Sequence, residues 1–325
     1  MRKGELWYSL LFLVIGIFAG LFLSNKVSTT SSSSLSALRE HSDKYKFIAP
    51  YLASSDKDTQ SDNFKNLKNK VNNFISSNTG TGDTVSVYFR DLNKGEWFGI
   101  DQDKGYAPAS LLKTVIMIAY FKKAEINPGI LSEQLTYESN LKTLLEGIPF
   151  EDPSDLKTDV SYSVDSLISK MIIDSDNGAT NLLFTHLDDS FLNKVYKDLS
   201  LPLPGDEGYY DISAQAYSLF FRILYNATYL SRSLSEKALG ILSRASFQDG
   251  LVSGVPKGTV VAHKFGEYIH GEEGVVDSVE LHDCGIIYLP NDPYFLCVMT
   301  HTKSLDKDKN IIKNISSIVY SYLTK

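Results

Sequence analysis

The chain of 325 residues has only two cysteines, four methionines, two tryptophans and ten prolines. Two cysteines cannot build a disulfide scaffold or a cysteine-walled zinc site. Basic charge is also short: 32 Lys and Arg stand against 39 Asp and Glu, a formal net charge of -7. A nucleic-acid binder needs a basic stripe for the phosphates, so that class is excluded. No Arg occurs anywhere from 245 to 325. With 43% hydrophobic and 12% aromatic residues, the chain has enough apolar surface to fold, which excludes general disorder.

Long apolar runs are absent except at the start. Leu6 to Leu23 holds 18 residues without a charge, behind Arg2 and Lys3. As a helix it would span roughly 27 Å, close to the hydrocarbon core of a bilayer. Trp7 and Tyr8 lie at one rim, where amphipathic rings anchor. No small-residue cleavage box follows Leu23, and no Cys offers a lipid attachment. The run reads as a single-pass signal anchor over 6–23, with residues 1–5 cytoplasmic and the body extracytoplasmic at the cell membrane. Residues 24–60, rich in Ser and Thr over Ser28–Ser36, read as a flexible linker. The folded domain is expected over 61–325.

Within it, Phe64, Leu67, Val71 and Phe74-Ile75 predict an amphipathic helix over 62–77. Strand patterns at 84–89 and 96–100 flank a turn at Asn93-Lys94-Gly95. Helical patterns follow at 110–123, 163–173, 179–198, 213–229 and 233–245. Strands return at 258–265, 274–289 and 294–301, and a helix closes the chain over 307–323. A sheet is therefore assembled from both ends of the domain, with a helical lobe between, about 110–245, and a cleft where the two meet.

Three short motifs carry candidate chemistry. Ser110-Leu111-Leu112-Lys113 opens a helix apolar almost all round. That places a hydroxyl and an amine one turn apart on one face, at a helix end whose N–H groups favour an anion. An amine whose proton affinity is lowered by burial can take the hydroxyl proton. The same S-x-x-K spacing recurs four times elsewhere, so spacing alone decides nothing. Ser175-Asp176-Asn177 precedes a helix and reads equally as its cap, as Ser61-Asp62-Asn63 does for the first helix. Lys264-Phe265-Gly266 ends a strand pattern.

In this order the three motifs resemble those of class A β-lactamases and penicillin-binding proteins, over about 62–325. The resemblance implies a mixed α/β fold of β-lactamase and transpeptidase type. Its parts are a five-stranded antiparallel sheet, terminal helices packed on it, and an all-helical lobe. It implies Ser110 as the nucleophile of an acyl-enzyme, Lys113 as its base, and Ser175 as the proton relay to the leaving nitrogen. Asn177 would bind the substrate's amide side chain. Lys264 would hold Ser175 and supply positive charge beside Gly266. The N–H groups of Ser110 and Glu267 would form the oxyanion hole, where one donor is worth roughly 3–4 kcal/mol. The implied substrate is a β-lactam or, alternatively, a peptidoglycan peptide handled by a D,D-carboxypeptidase or transpeptidase. A third reading is a catalytically weak cell-wall binding module. No cofactor or metal is expected, and the chain is expected to act as a monomer.

The chain departs from that family in three places. The deacylating glutamate of an E-x-x-L-N loop has no clear counterpart; Asp189, Asp206 and Glu207 are the candidates. Phe265 replaces the usual hydroxyl residue. Glu267, Glu272, Glu273 and Asp277 crowd the stretch where a substrate carboxylate would be held. His263, His270 and His282 read as structural or surface residues, since a metal site would need a further convergent ligand. Cys284 and Cys297 would face one another in a hairpin, as a disulfide or as buried thiols.

Overall fold

Strand segments from the two ends of the body pair with one another. The computed structural model describes residues 38–39, 44–53, 60–138, 154–201, 211–271 and 276–325. Thr84–Asp91 (β1) and Trp97–Ile100 (β2) form a hairpin whose Gly95 has the positive φ that the turn demands. Val261–His270 (β3), Ser278–Ile287 (β4) and Tyr294–Thr302 (β5) form a meander. The first strand of the hairpin joins the last of the meander, so the sheet runs β2-β1-β5-β4-β3 with every pair antiparallel. This is the expected five-stranded sheet.

Side chains alternate across it with the two-residue period of a strand. Val85, Val87 and Phe89, with Leu296 and Val298, face Lys65–Asn78 (α1) and Leu305–Leu323 (α8). Those two terminal helices contribute Leu67, Val71, Ile311, Ile315 and Val319. Tyr88, Ile286, Phe295 and Met299 face the other way, into the helical lobe. Cys284 and Cys297 are in register across β4 and β5 and are bonded, the alternative that the sequence left open.

At the centre of the lobe is Lys113–Ile126 (α2), buried without interruption from Lys113 to Phe121. Around it stand Val164–Ile173 (α3), Asn177–His186 (α4), Asp189–Asp198 (α5), Ala214–Tyr225 (α6) and Arg232–Leu242 (α7). The single helix expected over 179–198 is two. The chain turns extended at Leu187, and the Asp188 side chain accepts the Ser190 N–H at 2.8 Å, capping a new helix. Apolar periodicity runs through the break because Leu182 and Leu183 before it and Val195 and Tyr196 after it enter the same lobe core.

The expected linker does not extend to residue 60. Residues 44–53 are strapped to the lobe, with Ile48 and Ala49 buried. The Glu236 carboxylate accepts the N–H groups of Lys46, Phe47 and Ile48 at 2.6–3.1 Å. Tyr288 donates to the Phe47 carbonyl at 2.9 Å. Tyr45 and Phe47 also pack against the lobe core. The apolar run Phe47-Ile48-Ala49-Pro50-Tyr51-Leu52-Ala53 is hidden when composition is averaged over the Ser-, Asp- and Lys-rich residues 24–60. The apolar run over 6–23 lies outside the described residues. Among the described residues, no helix is long and apolar enough to cross a membrane.

One buried acid sets a pH dependence. Asp308, in the first turn of α8, is fully buried, and neither carboxylate oxygen completes a hydrogen bond. Burial, with some help from the charge of Asp83, pushes it up to about 7, against the nearby hydroxyls of Thr302 and Thr300 and the charge of Lys307. The native state therefore favours the protonated acid more than the unfolded chain does. That stability is fully present below about pH 4 and is lost as the pH rises towards 7. Asp308→Asn should be more stable than the parent at pH 8, on the order of 2 kcal/mol with partial solvent screening allowed for, and about equal at pH 4. Thermal melts at the two values test this; equal differences at both would refute it.

Candidate active site

The turn that carries Ser110 is more constrained than its sequence suggests. The expected α-helix begins only at Lys113; Ala109–Leu112 is a 3-10 turn leading into it. Ala109 has φ +46°, a left-handed backbone that a residue with a Cβ rarely adopts. Surrounding contacts hold it there. Glu280 Oε2 accepts the Ala107 N–H at 3.0 Å, and His282 Nε2 lies 3.0 Å from the Ala107 carbonyl oxygen. Tyr217 donates to the Leu111 carbonyl at 3.2 Å. Burial alone would raise the Glu280 carboxyl, but hydrogen bonds from His282 and His301, the His282 charge and a further bond from His270 bring it down to about 2. It thus stays an acceptor at any working pH. Such strain is typical of sites where a reactive group is held in place.

Ser175 shares the feature. It has φ +56° between the end of α3 and the start of α4. Asp176, beside it, has the bland role open to it: its side chain caps α4 through the Ala179 N–H at 2.7 Å. The same carboxylate accepts the Ser154 hydroxyl and the Asp155 N–H, fixing the turn from outside. Asn177 is the first residue of α4.

Lys113 reaches this turn from α2 and is 4% exposed. Its Nζ donates to the Ser175 carbonyl at 2.5 Å and to Asn177 Oδ1 at 2.5 Å, and lies 3.2 Å from Ser175 Oγ. Lys264, on β3, approaches the same hydroxyl from the sheet side, Nζ to Ser175 Oγ 3.0 Å. Two amines from two lobes thus converge on one serine. Burial first, and the charge of Lys113 second, hold the Lys264 amine well below the usual lysine range, while Asp283 pulls it back up. Behind it is a fully buried pair that sequence reasoning did not find. His263 Nδ1 lies 2.7 Å from Asp283 Oδ1, and Asp283 Oδ2 accepts the Leu251 N–H at 2.8 Å. Adjacent strands bring these residues together; their spacing along the chain gave no signal.

Gly266 lets β3 approach the Ser110 turn, since a Cβ there would come within 2.8 Å of the Pro108 carbonyl oxygen. Lys264, Gly266 and Glu267 thus run along the edge strand beside that turn. Phe265 stacks on Phe247, ring centroids 4.3 Å apart, and its ring lies 4.2 Å from Lys264 Nζ. In the position of the missing hydroxyl the chain thus offers an aromatic wall. Lys113 Nζ is engaged by Ser175 and Asn177.

Of the candidates for a deacylating base, Asp189 is the first residue of α5. Asp206 and Glu207 lie outside the described residues, as do Glu272 and Glu273. Two of the histidines have structural roles: His263 pairs with Asp283 and His282 packs beneath Ala107.

A serine in a strained turn, a buried lysine one turn on, and a sheet lysine sharing a second serine, all on this sheet-and-lobe fold, define a serine hydrolase. The family model of the β-lactamase enzyme family matches residues 66–323, and the chain belongs to that family. Solved structures agree. PBP-A is similar with 25% identity and a TM-score of 0.66, over 80% of this chain and 96% of that one. The TLA-1 extended-spectrum β-lactamase has 19% identity and a TM-score of 0.68, over 80% and 99%. A class A β-lactamase from Mycobacterium abscessus has 20% identity and a TM-score of 0.64, over 80% and 100%. No curated protein matches the chain in sequence.

Proposed function

We propose that the chain is a membrane-anchored, extracytoplasmic enzyme that opens β-lactam amides through an acyl-enzyme on Ser110. The observation that carries this reading is the Ser175 hydroxyl, held between the Lys113 and Lys264 amines at 3.2 and 3.0 Å beside the Ser110 turn. Lys113 takes the Ser110 proton, directly or through water, as Oγ attacks the lactam carbonyl. The proton reaches the leaving nitrogen through Ser175, which Lys264 holds. Burial first and the charge of Lys113 second disfavour the protonated form of Lys264, while Asp283 favours it. Asn177 offers its side-chain amide to the substrate, and the N–H groups of Ser110 and Glu267 receive the oxyanion. The 6–23 run and the Cys284–Cys297 bond both fit a body held outside the cytoplasm, where disulfides persist.

One observation favours the alternative, a penicillin-binding enzyme acting on peptidoglycan peptides. The nearest counterpart of the deacylating loop, Asp189 to Asn193, is the opening of helix α5. An enzyme without a deacylating base would hold its acyl group. A chromogenic cephalosporin separates the two: steady hydrolysis by the full chain supports a β-lactamase, and a single-turnover burst with a lasting mass adduct supports the alternative. In both cases Ser110→Ala should abolish labelling by a fluorescent penicillin; labelling that persists would remove Ser110 from the chemistry.

A further inference from the structure

Three side chains on three adjacent strands meet at one end of the sheet, and one of them, Glu280, also braces the Ser110 turn through the Ala107 N–H. Glu280 on β4 stands directly opposite His301 on β5. His270, the last residue of β3, reaches the same point from the other side. His270 Nε2 and His301 Nδ1 each lie 3.1 Å from the same oxygen, Glu280 Oε1. All three ligand atoms fall within 4.8 Å of one another. The carboxylate is 8% exposed, the two imidazoles 36% and 31%, so the cluster is anchored below and open above.

We propose that His270, Glu280 and His301 form a binding site for a transition-metal dication of the Zn2+ type. Zinc bonds of about 2.0–2.1 Å in tetrahedral array place neighbouring ligand atoms about 3.3 Å apart. The two 3.1 Å edges are close to that spacing before any metal enters. Two imidazoles with one carboxylate suit zinc and its neighbours, whereas calcium and magnesium take oxygen ligands. The carboxylate is also braced as metal ligands are: its other oxygen accepts the Ala107 N–H and lies 3.3 Å from His282 Nε2. The open side leaves the fourth position to water.

Without metal, each ring can give its N–H to Glu280 Oε1, and the cation takes the place of those two hydrogens. Each neutral ring then carries its single proton on the far nitrogen, Nδ1 of His270 and Nε2 of His301, so binding to neutral rings releases none. The same carboxylate holds Ala107, three residues before Ser110, so the metal sits at the root of the reactive turn. This inference does not depend on which substrate Ser110 attacks.

Titrating the untagged full chain with zinc chloride in a calorimeter tests it, alongside Co2+ as a visible-absorbing probe. The expected result is one Zn2+ per chain, with Co2+ showing the intense visible bands of a four-coordinate ion. His270→Ala and His301→Ala, both at partly exposed rings, should each weaken Zn2+ at least about tenfold and remove the bands. Circular dichroism confirms that both variants fold. His186→Ala, at the exposed His186–Glu133 pair, should change nothing. Absence of stoichiometric binding, or binding left intact by either of the first two substitutions, would overturn the three-ligand site.

Discussion

Lys113→Met should slow acylation by a β-lactam by about 10²- to 10⁴-fold, the range for losing a positioned general base. Methionine keeps the stem that fills the lobe and removes only the amine. The loss should appear in the second-order rate of labelling by a fluorescent penicillin, with far-ultraviolet circular dichroism unchanged. It should not be rescued at high pH, because Lys264 is held by Ser175 and by the Phe265 carbonyl, at 3.0 and 2.9 Å. A cost of about 1–3 kcal/mol in stability should accompany it, as the Ser175 carbonyl and Asn177 Oδ1 lose a buried donor. A labelling rate equal to that of the parent would assign proton abstraction to another group.

The second large effect lies behind the cleft. Asp283→Ala should destabilise the fold by about 3–5 kcal/mol, the usual cost of breaking a buried pair from one side. It strips His263 and the Leu251 N–H of their acceptor at once. Asp283→Asn is the informative companion, because it keeps the shape and removes the charge. Asp283 raises the proton affinity of Lys264, so its neutralisation lets that amine deprotonate at lower pH. The pH profile for acylation should shift to lower pH in the Asn variant while most of the stability remains. Unfolding curves in urea and the profile itself read the two effects separately. An unmoved profile would mean that the charge of Asp283 does not reach the cleft.

Local signals were the legible ones. Ser110 and Lys113 stand one turn apart, the hairpin turn carries its own glycine, and strand alternation fixed both faces of the sheet. What the chain hid depends on register and on backbone. His301 and Glu280 become neighbours only because β4 and β5 pair as they do. The third ligand that the histidines lacked was thus invisible in one dimension. The break at Leu187–Asp188 was masked by continuous apolar spacing. The 3-10 turn at Ser110 was masked by a sequence that suits an α-helix equally well; what bends it is Glu280 and His282 gripping Ala107 from the sheet.

The strap over 44–53 bears on how a recombinant body should be cut. A fragment begun at residue 60 would leave Glu236 facing empty space where three backbone donors had been. It would also uncover the Tyr225 carbonyl, which accepts the Ala49 N–H at 2.9 Å, and the Asn226 side chain, which accepts from Arg39. A shortened protein that aggregates or melts early would reflect the scissors and not the enzyme. Starting ahead of Leu38 retains every one of these partners.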